Sequence, residues 1–466
     1  MSERKIPEAF LRRMQMQLGD TEPFLKAMAL PVEHGLRVNS LKLTPGELAE
    51  MVSWKLSPIP WCSSGFYLEG EEDASRNPLY YAGAYYLQEP SAMLPAAVLP
   101  VEPGDRVLDL CAAPGGKSTA LAAKLQGRGV LVCNDISASR ARALIKNLEL
   151  FGVTNAVVTA ETPERLAKSF SGYFDKILID APCSGEGMFR KSRAMITDWT
   201  EEKTKEYAAL QRDILDHAIR MLRPGGKLLY STCTYAPAED EGSVQYLLTH
   251  PVARELKLTL SDIPWEPGFL PGNPDWIPDG LQEIRKTVHL IPHLVRGEGH
   301  FAALFESGLE EEKRNTEDTI GKKLKPDVSF AEFASLIRTQ YDSQRLLSRD
   351  GYLSYVPEDK GLSGRLAGLR ILRKGLFLGE IRKNRFEPSQ ALSMTLSPDS
   401  FANCLSLAPD DDRVMRYLKG ETLDYDFGEA EKGWVLITLG KLPLGFGKAN
   451  KGQIKNKYLP GWRYGA

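Results

Sequence analysis

The segment that limits the fold most is residues 107–125, where an apolar run leads through a turn of small residues into a helical pattern. The apolar run ends around Asp109, and the turn contains Gly115 and Gly116. Glycine lets the backbone approach a ligand closely, and the start of a helix offers free N–H groups and a positive dipole end. The segment therefore predicts a strand, a tight loop and a helix, with the loop suited to a nucleotide-like ligand.

Strand-like and helix-like patterns alternate from this segment to about residue 305. Such alternation predicts an α/β fold with a mostly parallel, doubly wound sheet. Ligands of these sheets bind at the carboxyl ends of the strands, where Asp109, Asp135 and Asp180 stand. The predicted strands are residues 106–110, 130–135, 156–159, 176–180 and 227–231, and the predicted helices include 139–150 and 203–222.

The chain is long enough for several domains, because 466 residues exceed what one hydrophobic core usually serves. Apolar content collapses after the alternating region, which predicts an exposed linker. We predict a small α+β N-terminal domain at 1–82, a main domain at 83–306, a linker at 307–326, a first C-terminal domain at 327–387 and a β-rich last domain at 388–466.

The charge of the chain excludes a globally basic nucleic-acid binder, since the formal net charge is −2, but a local basic face remains compatible with it. After Gly440 cations occur without any acid and alternate with aromatic residues, a mixture that suits RNA. A solvated charged tail is an equally good interpretation of this stretch alone. The cations are Lys441, Lys448, Lys451, Lys455, Lys457 and Arg463, and the aromatic residues are Phe446, Tyr458, Trp462 and Tyr464.

The amino-terminal residues lack the apolar core of a signal peptide, and no apolar run is long enough to span a bilayer. We therefore expect a cytoplasmic protein without a membrane partner, and a monomer by default. The six cysteines are far apart and match neither a disulfide framework nor a zinc-binding pattern, so we expect reduced thiols and no metal site.

Two ligand classes compete for the glycine loop. A nucleoside triphosphate is suggested by the Gly-Lys-Ser ending of a P-loop, but Cys111 stands where a P-loop has glycine and Pro114 removes an N–H. A nucleoside-containing cofactor predicts an acid at the end of the second strand to hold ribose hydroxyls, and Asp135 stands there. The loop and this acid together favour the cofactor.

Two cysteines follow predicted strands beside acids or hydroxyl residues: Cys183 in residues 180–187 and Cys233 in residues 231–235. A single cysteine after a strand is most simply a buried apolar residue. Two at the ligand edge favour nucleophilic chemistry, in which a thiolate attacks an electron-poor ring carbon with a cation and an acid nearby. Lys117 and Asp180 are the candidates for these supporting roles.

The combination of three motifs, residues 109–117, 180–187 and 231–234, resembles the NOL1/NOP2/Sun family of RNA cytosine-5 methyltransferases. The resemblance implies a class I, Rossmann-like methyltransferase domain that uses S-adenosylmethionine. The two C-terminal units are similar to those of the bacterial RsmF branch, which acts on 16S ribosomal RNA of the small subunit and ends in a PUA-like RNA-binding domain. Residues 37–42, 88–91 and 292–301 also carry the resemblance.

The resemblance implies that Cys233 attacks C6 of cytosine, so that C5 becomes carbanion-like and takes the methyl group. Asp180 would hydrogen-bond the region of ring N3 with Lys117 assisting, and Cys183 would help to resolve the adduct. The base must leave its stack to reach these groups.

The implied cofactor site is the glycine loop with several later residues, and one position departs from the family pattern. Where the family has an acid near the adenine, this chain has Thr162 with Glu161 one residue away. Asp240 also stands where Asn is common, which we expect to matter little. The implied contacts are Cys111, Ala112, Ala113, Pro114, Gly115, Gly116, Lys117, Asp135, Arg140, Thr162 and Asp180.

Three alternatives stand beside methylation of 16S ribosomal RNA. The same reaction on transfer RNA is the main one, since related family members use that substrate. An NTPase is disfavoured by Cys111 and Pro114, and a non-catalytic RNA-binding assembly factor by the presence of both cysteines and Asp180.

Overall fold

The computed structural model describes residues 6–70, 73–310, 327–359, 361–383, 385–425 and 432–465. Within them the strands form four sheets. The linker predicted at 307–326 lies almost wholly outside the described residues, apart from its first four positions.

The N-terminal unit mixes strands and short helices, as predicted. Its antiparallel sheet has the strand order β2-β3-β1-β4, so β1 is central and buried along its length. Helix α3 begins at a capping box formed by Thr44 and Glu47. The strands are β1 (Gly35–Val38), β2 (Lys55–Ile59), β3 (Cys62–Glu69) and β4 (Tyr85–Leu87), and the helices are α1 (Glu8–Leu18), α2 (Glu22–Met28), α3 (Pro45–Met51), α4 (Pro78–Tyr81) and α5 (Leu94–Val98).

The main domain follows the predicted alternation of strands and helices. Its helix α7 is followed by Gly152, whose φ of 76° is strained for other residues, so glycine terminates this helix. The strands are β5 (Arg106–Asp109), β6 (Val130–Asn134), β7 (Ala156–Thr159), β8 (Phe174–Asp180), β9 (Leu222–Thr232), β10 (Leu258–Ser261), β11 (Leu270–Pro271), β12 (Val288–Leu290) and β13 (His300–Ser307). The helices are α6 (Gly116–Leu125), α7 (Arg140–Phe151), α8 (Pro163–Ser169), α9 (Arg193–Asp198), α10 (Glu201–Met221), α11 (Glu241–Thr249) and α12 (Pro251–Glu255).

The C-terminal part holds two smaller sheets and short helices. The last sheet has the order β19-β21-β22-β23-β20, which confirms the predicted β-rich module. The strands are β14 (Leu346–Arg349), β15 (Tyr352–Tyr355), β16 (Ile371–Lys374), β17 (Leu376–Arg382), β18 (Arg385–Pro388), β19 (Cys404–Leu407), β20 (Leu423–Asp424), β21 (Gly433–Leu439), β22 (Leu442–Asn450) and β23 (Gln453–Asn456). The helices are α13 (Val328–Ala334), α14 (Leu362–Arg365), α15 (Gln390–Ser393) and α16 (Asp412–Lys419).

The central sheet has the strand order β11-β12-β13-β9-β8-β5-β6-β7-β16, and β10 also pairs with β13. The five strands from β7 to β9 are mutually parallel, whereas β13 is antiparallel to β9. This parallel core confirms the predicted doubly wound α/β fold, and the sheet as a whole is mixed because β10, β11, β12, β13 and β16 pair antiparallel. The chain reverses its direction of winding between β5 and β8, and ligands of such sheets bind at this switch point. Asp109 ends β5 and Asp180 ends β8, so both stand at the switch point.

Buried side chains cover both faces of the central sheet. Leu121 and Leu144 lie in the core on one face, and Leu215 and Ile219 lie in the core on the other. All four are fully buried. The packing of α6, α7 and α10 therefore keeps the sheet rigid at the strand ends where ligands bind.

Strand β16 comes from the segment predicted as the first C-terminal domain, yet it pairs antiparallel with β7 and extends the central sheet. The buried side chains Leu362 and Leu366, from the turn of chain just before it, also pack into the core beneath that sheet. No helix in the described part of the chain is both long and apolar enough to cross a membrane.

Candidate functional site

A half-buried ion pair lies at the switch point. Lys117 Nζ is 2.6 Å from Asp180 Oδ2, Ser231 Oγ donates to Asp180 Oδ1 at 3.0 Å, and His300 Nε2 is 3.3 Å from the same Oδ1. Burial alone would raise the pKa of Asp180, but the charge of Lys117 and the nearby His300 bring it below its usual range. Asp180 is therefore a carboxylate whose two oxygens both face donors.

The two predicted cysteines meet in the structure. Their sulfur atoms are 3.3 Å apart, the Cys233 N–H lies 3.4 Å from Cys183 Sγ, and both are free thiols. The hydrogen bond to Cys233, together with burial, raises the pKa of the Cys183 thiol well above its usual value. The shift favours the protonated thiol of Cys183, and either sulfur can donate to the other across the contact.

Cys233, the candidate nucleophile, also lies near the Lys117–Asp180 ion pair. Burial alone would lower the pKa of Lys117, but Asp180 and then Cys233 raise it above its usual value. The structure therefore brings the four predicted catalytic residues, Lys117, Asp180, Cys183 and Cys233, to one place at the ends of β8 and β9.

The loop that carries Cys183 is locked to the segment after β9. Gly187 N–H donates to the Cys233 carbonyl at 2.9 Å, and a Cβ at Gly187 would lie 2.9 Å from the Gly299 carbonyl. The Glu239 carboxylate accepts from Ser184 N–H at 3.0 Å and from Gln211 Nε2 at 2.9 Å. Only glycine allows this close approach, and these contacts fix the position of Cys183 relative to Cys233.

Helix α1 braces the same loop through a contact that the sequence did not reveal. Arg13 Nη2 lies 2.5 Å from Glu186 Oε2, and the carboxylate also accepts from Trp199 Nε1 at 2.8 Å and from Tyr235 N–H at 3.1 Å. Glu186 has no exposed surface. Glu186 lies inside the motif at 180–187, so the sequence did single out its segment. Its contact with Arg13 could not be predicted, because the two residues are 173 positions apart.

The predicted cofactor loop is tightly packed. Gly115 has φ 111°, and Cβ atoms at Gly115 and Gly116 would lie 3.1 Å from Leu144 and Tyr86 respectively. Burial raises the pKa of the Cys111 thiol, so this cysteine is a packing residue of the loop and not a thiolate.

Arg37 of β1 ties the N-terminal sheet to this loop. Its Nη2 donates to the Gly116 carbonyl at 2.8 Å and to Thr119 Oγ1 at 2.7 Å, and its Nε donates to Gln88 Oε1 at 3.3 Å. Burial lowers the pKa of Arg37 to about 10, which leaves the side chain charged. The segment carried the resemblance, but this bracing role was missed because it depends on a contact between domains.

Asp135 and Arg140 lie beside the loop. Asp135 Oδ1 accepts from Ser137 N–H at 2.9 Å, and its Oδ2 is 3.5 Å from Arg140 Nη2, which also donates to the Ala113 carbonyl at 2.9 Å. Arg140 therefore links the acid at the end of β6 to the loop after β5.

Thr162 has a different local role from the one predicted. Its side chain is exposed and caps α8 by accepting from Arg165 N–H at 3.3 Å. The neighbouring Glu161 is buried, accepts from Arg370 N–H at 2.5 Å and lies 3.2 Å from Arg165 Nε. The adenine contact at Thr162 stays a prediction, and the geometry gives this hydroxyl a capping function.

The residues around the loop fit a nucleoside cofactor. Asp109 is fully buried and accepts from Ser118 Oγ at 2.6 Å through Oδ2, while Oδ1 has no hydrogen-bond partner among the described residues. Burial raises the pKa of Asp109 to about 7. Asp109 and Asp135 can accept hydrogen bonds from hydroxyl or ammonium groups, whereas their charge would oppose a triphosphate.

Asp240 lies behind the nucleophile in a buried cluster with Glu241 and His289, whose possible ligand atoms are within 4.8 Å of one another. His289 Nε2 is 2.8 Å from Glu241 Oε1, and Thr232 Oγ1 donates to Asp240 at 2.6 Å. Burial raises the pKa of Asp240 well above its usual value, which favours the neutral carboxylic acid. A neutral acid resembles an amide in hydrogen bonding, which explains how Asp can stand where the family commonly has Asn.

The basic carboxy-terminal stretch differs from the RNA-stacking interpretation. Phe446, Tyr458 and Trp462 are buried and form part of the core. Lys441 pairs with Glu47 and Lys457 Nζ lies 3.5 Å from Glu387. These aromatic rings therefore stabilise the last module and are not free to stack on bases.

Comparison with known proteins assigns nearly the whole chain. A family model for 16S rRNA methyltransferase RsmB/F matches residues 96–306, and a model for the N-terminal domain of RsmF matches 6–90. Models for the RsmF first C-terminal domain and the RsmF PUA domain match 330–396 and 404–464.

Relatives and solved structures agree with these matches. The chain is 31% identical to ribosomal RNA small subunit methyltransferase F of Escherichia fergusonii, across 97% of this chain and 95% of that protein. A methyltransferase homologue from Pyrococcus horikoshii is 29% identical with a TM-score of 0.58, over 65% of this chain and 95% of the other. NSun6 of the same organism shares the fold, with a TM-score of 0.54, 23% identity and coverage of 65% and 99%. The chain therefore belongs to the RsmF family of S-adenosylmethionine-dependent 16S ribosomal RNA methyltransferases.

Proposed function

We propose that this protein methylates C5 of cytosine in 16S ribosomal RNA through a covalent bond between Cys233 and C6 of the base. The observation that carries the proposal is the Cys183–Cys233 pair, with sulfurs 3.3 Å apart, beside the half-buried Lys117–Asp180 ion pair. A thiolate, a thiol, an acid and a cation at one strand end are what nucleophilic attack on a pyrimidine ring requires.

The Cys233 thiolate forms a bond to C6, and the electron pair of the C5–C6 double bond moves into the ring toward C5 and N3. Asp180 accepts a hydrogen bond from the N4 amino group or from the protonated N3, which favours this charge shift. Lys117 keeps Asp180 charged and oriented, because their contact of 2.6 Å is a charge-assisted hydrogen bond. Bound S-adenosylmethionine supplies an electrophilic methyl group, which the electron-rich C5 accepts.

Release reverses the attack. When a base removes the proton from C5, the C5–C6 double bond forms again and the C6–sulfur bond breaks, so that Cys233 leaves as a thiolate. The Cys183 thiol stabilises that leaving sulfur by donating its hydrogen bond, because it keeps its proton and lies 3.3 Å away. Cys183 therefore acts in turnover and Cys233 acts in attack.

The cofactor is held at the carboxyl ends of β5 and β6. Asp135 accepts hydrogen bonds from the ribose hydroxyls, and the loop of Cys111, Ala112, Ala113, Pro114, Gly115, Gly116 and Lys117 lies against the rest of the cofactor. Arg140 positions the loop through its bond to the Ala113 carbonyl. Asp180 would border the methyl-transfer position and Thr162 would lie on the adenine side, while the Thr162 hydroxyl caps α8.

The substrate is ribosomal RNA in the small subunit, supported by the relatives' names and by the PUA module at residues 404–464. Such a substrate places the enzyme in the cytoplasm. The exposed cations of the last module, rather than its buried aromatic residues, supply the backbone contacts, since phosphate binding needs only accessible positive charge.

The test is methyl transfer from labelled S-adenosylmethionine to 16S ribosomal RNA and to assembled small subunits, with transfer RNA as the competing substrate. Cys233→Ala is expected to abolish transfer, whereas Cys404→Ala, a free cysteine in the last module, is expected to leave it unchanged. Bisulfite mapping of the product should show 5-methylcytosine. Undiminished transfer by Cys233→Ala would remove the nucleophile assignment, and a methylated base other than cytosine would remove the proposed reaction.

A further inference from the structure

His300 is the first residue of β13, the antiparallel strand beside β9. The register pairs Phe301 with Thr232, so His300 lies level with the start of the Cys233 turn. Its side chain is buried, with 2% of the residue exposed, and its Nε2 lies 3.3 Å from Asp180 Oδ1. Lys117 contacts the other oxygen of the same carboxylate. Asp180 is thus flanked by a nitrogen at each of its two oxygens.

The backbone before His300 is fixed by three contacts. Gly299 has φ 125°, and a Cβ there would lie 2.1 Å from Tyr235 Oη, so only glycine fits. Gly299 N–H donates to Ser91 Oγ at 3.2 Å, and Glu298 N–H donates to Glu89 Oε1 at 2.8 Å. The position of the imidazole is therefore determined by the junction between the N-terminal and main domains.

The contact between His300 and Asp180 is close but incomplete. At 3.3 Å the two atoms are within reach of a hydrogen bond, yet His300 Nε2 has no fully formed hydrogen bond to any described residue. A buried polar nitrogen without a partner is costly in free energy, so it calls for a role. Hydrogen bonds of an active site often tighten only when substrate is bound.

The carboxylate needs a second anchor for its proposed task. Lys117 fixes Oδ2 alone, and a group held at one oxygen can still rotate about its Cβ–Cγ bond. The Ser231 hydroxyl is a weaker anchor on Oδ1, because a neutral donor bonds less strongly and its hydrogen can rotate. A hydrogen bond from the His300 imidazole to Oδ1, completed when substrate tightens the site, stops this rotation and sets the plane of the carboxylate.

We propose that His300 is a positioning residue for Asp180, which it holds in the plane needed to hydrogen-bond the edge of the target base. This inference rests on the proposed function, since it assigns His300 to the step in which Asp180 supports attack by Cys233. The role assigned to His300 depends on the hydrogen-bond donor nitrogen of its ring, not on the volume that the ring fills.

Two variants separate these properties. His300→Phe keeps an aromatic ring but removes the nitrogen, and is expected to lower kcat by about 10–100-fold through misplacement of Asp180. KM for RNA and Kd for S-adenosylmethionine should stay within about 3-fold, because positioning acts on the reacting state. His300→Gln restores an N–H donor at similar reach and is expected to recover most of kcat. His217→Phe, a half-buried histidine on α10, is the matched control and should behave as wild type.

A second measurement follows adduct formation. On a Cys183→Ala background, His300→Phe should slow the appearance of the covalent RNA–protein band by the same factor as it lowers kcat. An unchanged kcat in His300→Phe, or equal losses in His300→Phe and His300→Gln, would overturn the inference. If Cys233→Ala keeps full activity, the proposed function fails instead, so the two failures are distinguishable.

Discussion

Two parts of the sheet edge differ in how completely their polar groups are hydrogen-bonded. The reacting side lies at the ends of β8 and β9, and the cofactor side lies at the ends of β5 and β6. On the reacting side, both oxygens of Asp180 face donors, and Cys183 and Cys233 contact each other. On the cofactor side, one oxygen of buried Asp109 has no hydrogen-bond partner among the described residues, and Asp135 is 3.5 Å from its nearest cation. The difference indicates that Asp180 and the two cysteines are already arranged around one another, with His300 Nε2 as the exception on this side, whereas the cofactor side retains acceptor oxygens.

The substitution expected to have the largest effect on the reacting side is Cys183→Ala, which removes one member of the cysteine pair. The variant keeps the nucleophile but loses the thiol that stabilises the departing sulfur, so RNA should remain covalently attached after one turnover. Multiple turnover is expected to fall by at least about 10³-fold. The measurement is a protein–RNA band on a denaturing gel together with steady-state rates. Free turnover at the wild-type rate would remove the release role of Cys183, and Cys404→Ala is the control.

On the cofactor side, Asp135→Ala should weaken binding of S-adenosylmethionine by about 10–100-fold, since hydrogen bonds to a charged group contribute about 1.5–3 kcal/mol each. At saturating cofactor kcat should change little, because the catalytic groups are already paired. Calorimetric titration and kcat measure the two effects. Asp350→Ala changes an exposed carboxylate and should leave both unaltered. An unchanged Kd in Asp135→Ala would contradict the ribose contact.

Arg37 hydrogen-bonds the glycine loop, which contributes Lys117 to the reacting side and its backbone to the cofactor side. Arg37→Met removes the donors for the Gly116 carbonyl and Thr119 and should lower the free energy of unfolding by about 1–3 kcal/mol. Denaturant titration measures the loss. The exposed Arg338→Met is the control, and equal stability of the two variants would show that the buried hydrogen bonds contribute nothing.

The smallest effect concerns Asp240, behind the reacting side. In the unfolded chain this acid ionises near pH 4, but burial raises its pKa in the folded protein, so Asp240 costs stability progressively as pH rises above about 4. Asp240→Asn should therefore match wild type near pH 4 and exceed it increasingly as the pH rises to 8. Methyl transfer should stay within about 2-fold of wild type, as small changes that preserve hydrogen bonding usually do. A variant that is less stable at pH 8 would show that the carboxylate is charged in the fold.

Much of the fold and the reacting groups could be predicted because their signals are local. Strand periodicity placed Asp109, Asp135 and Asp180 at strand ends, and parallel strands bring such ends together. The bracing contacts of Arg13, Arg37 and His300 could not be predicted, since each joins elements distant in the chain. Nor could composition separate buried from exposed aromatic residues, so Tyr458 and Trp462 suited RNA in the sequence but pack in the core.

The pairing of β16 with β7 has a consequence for assembly of the chain. Without this strand, β7 would be an open edge with unpaired N–H and C=O groups, which invites intermolecular pairing and aggregation. A protein truncated before the first C-terminal domain would therefore lose solubility as well as RNA contacts. The same strand also ties the first C-terminal domain to the methyltransferase sheet, so this part of the C-terminal region is fixed relative to the strands that position Asp180 and Cys233.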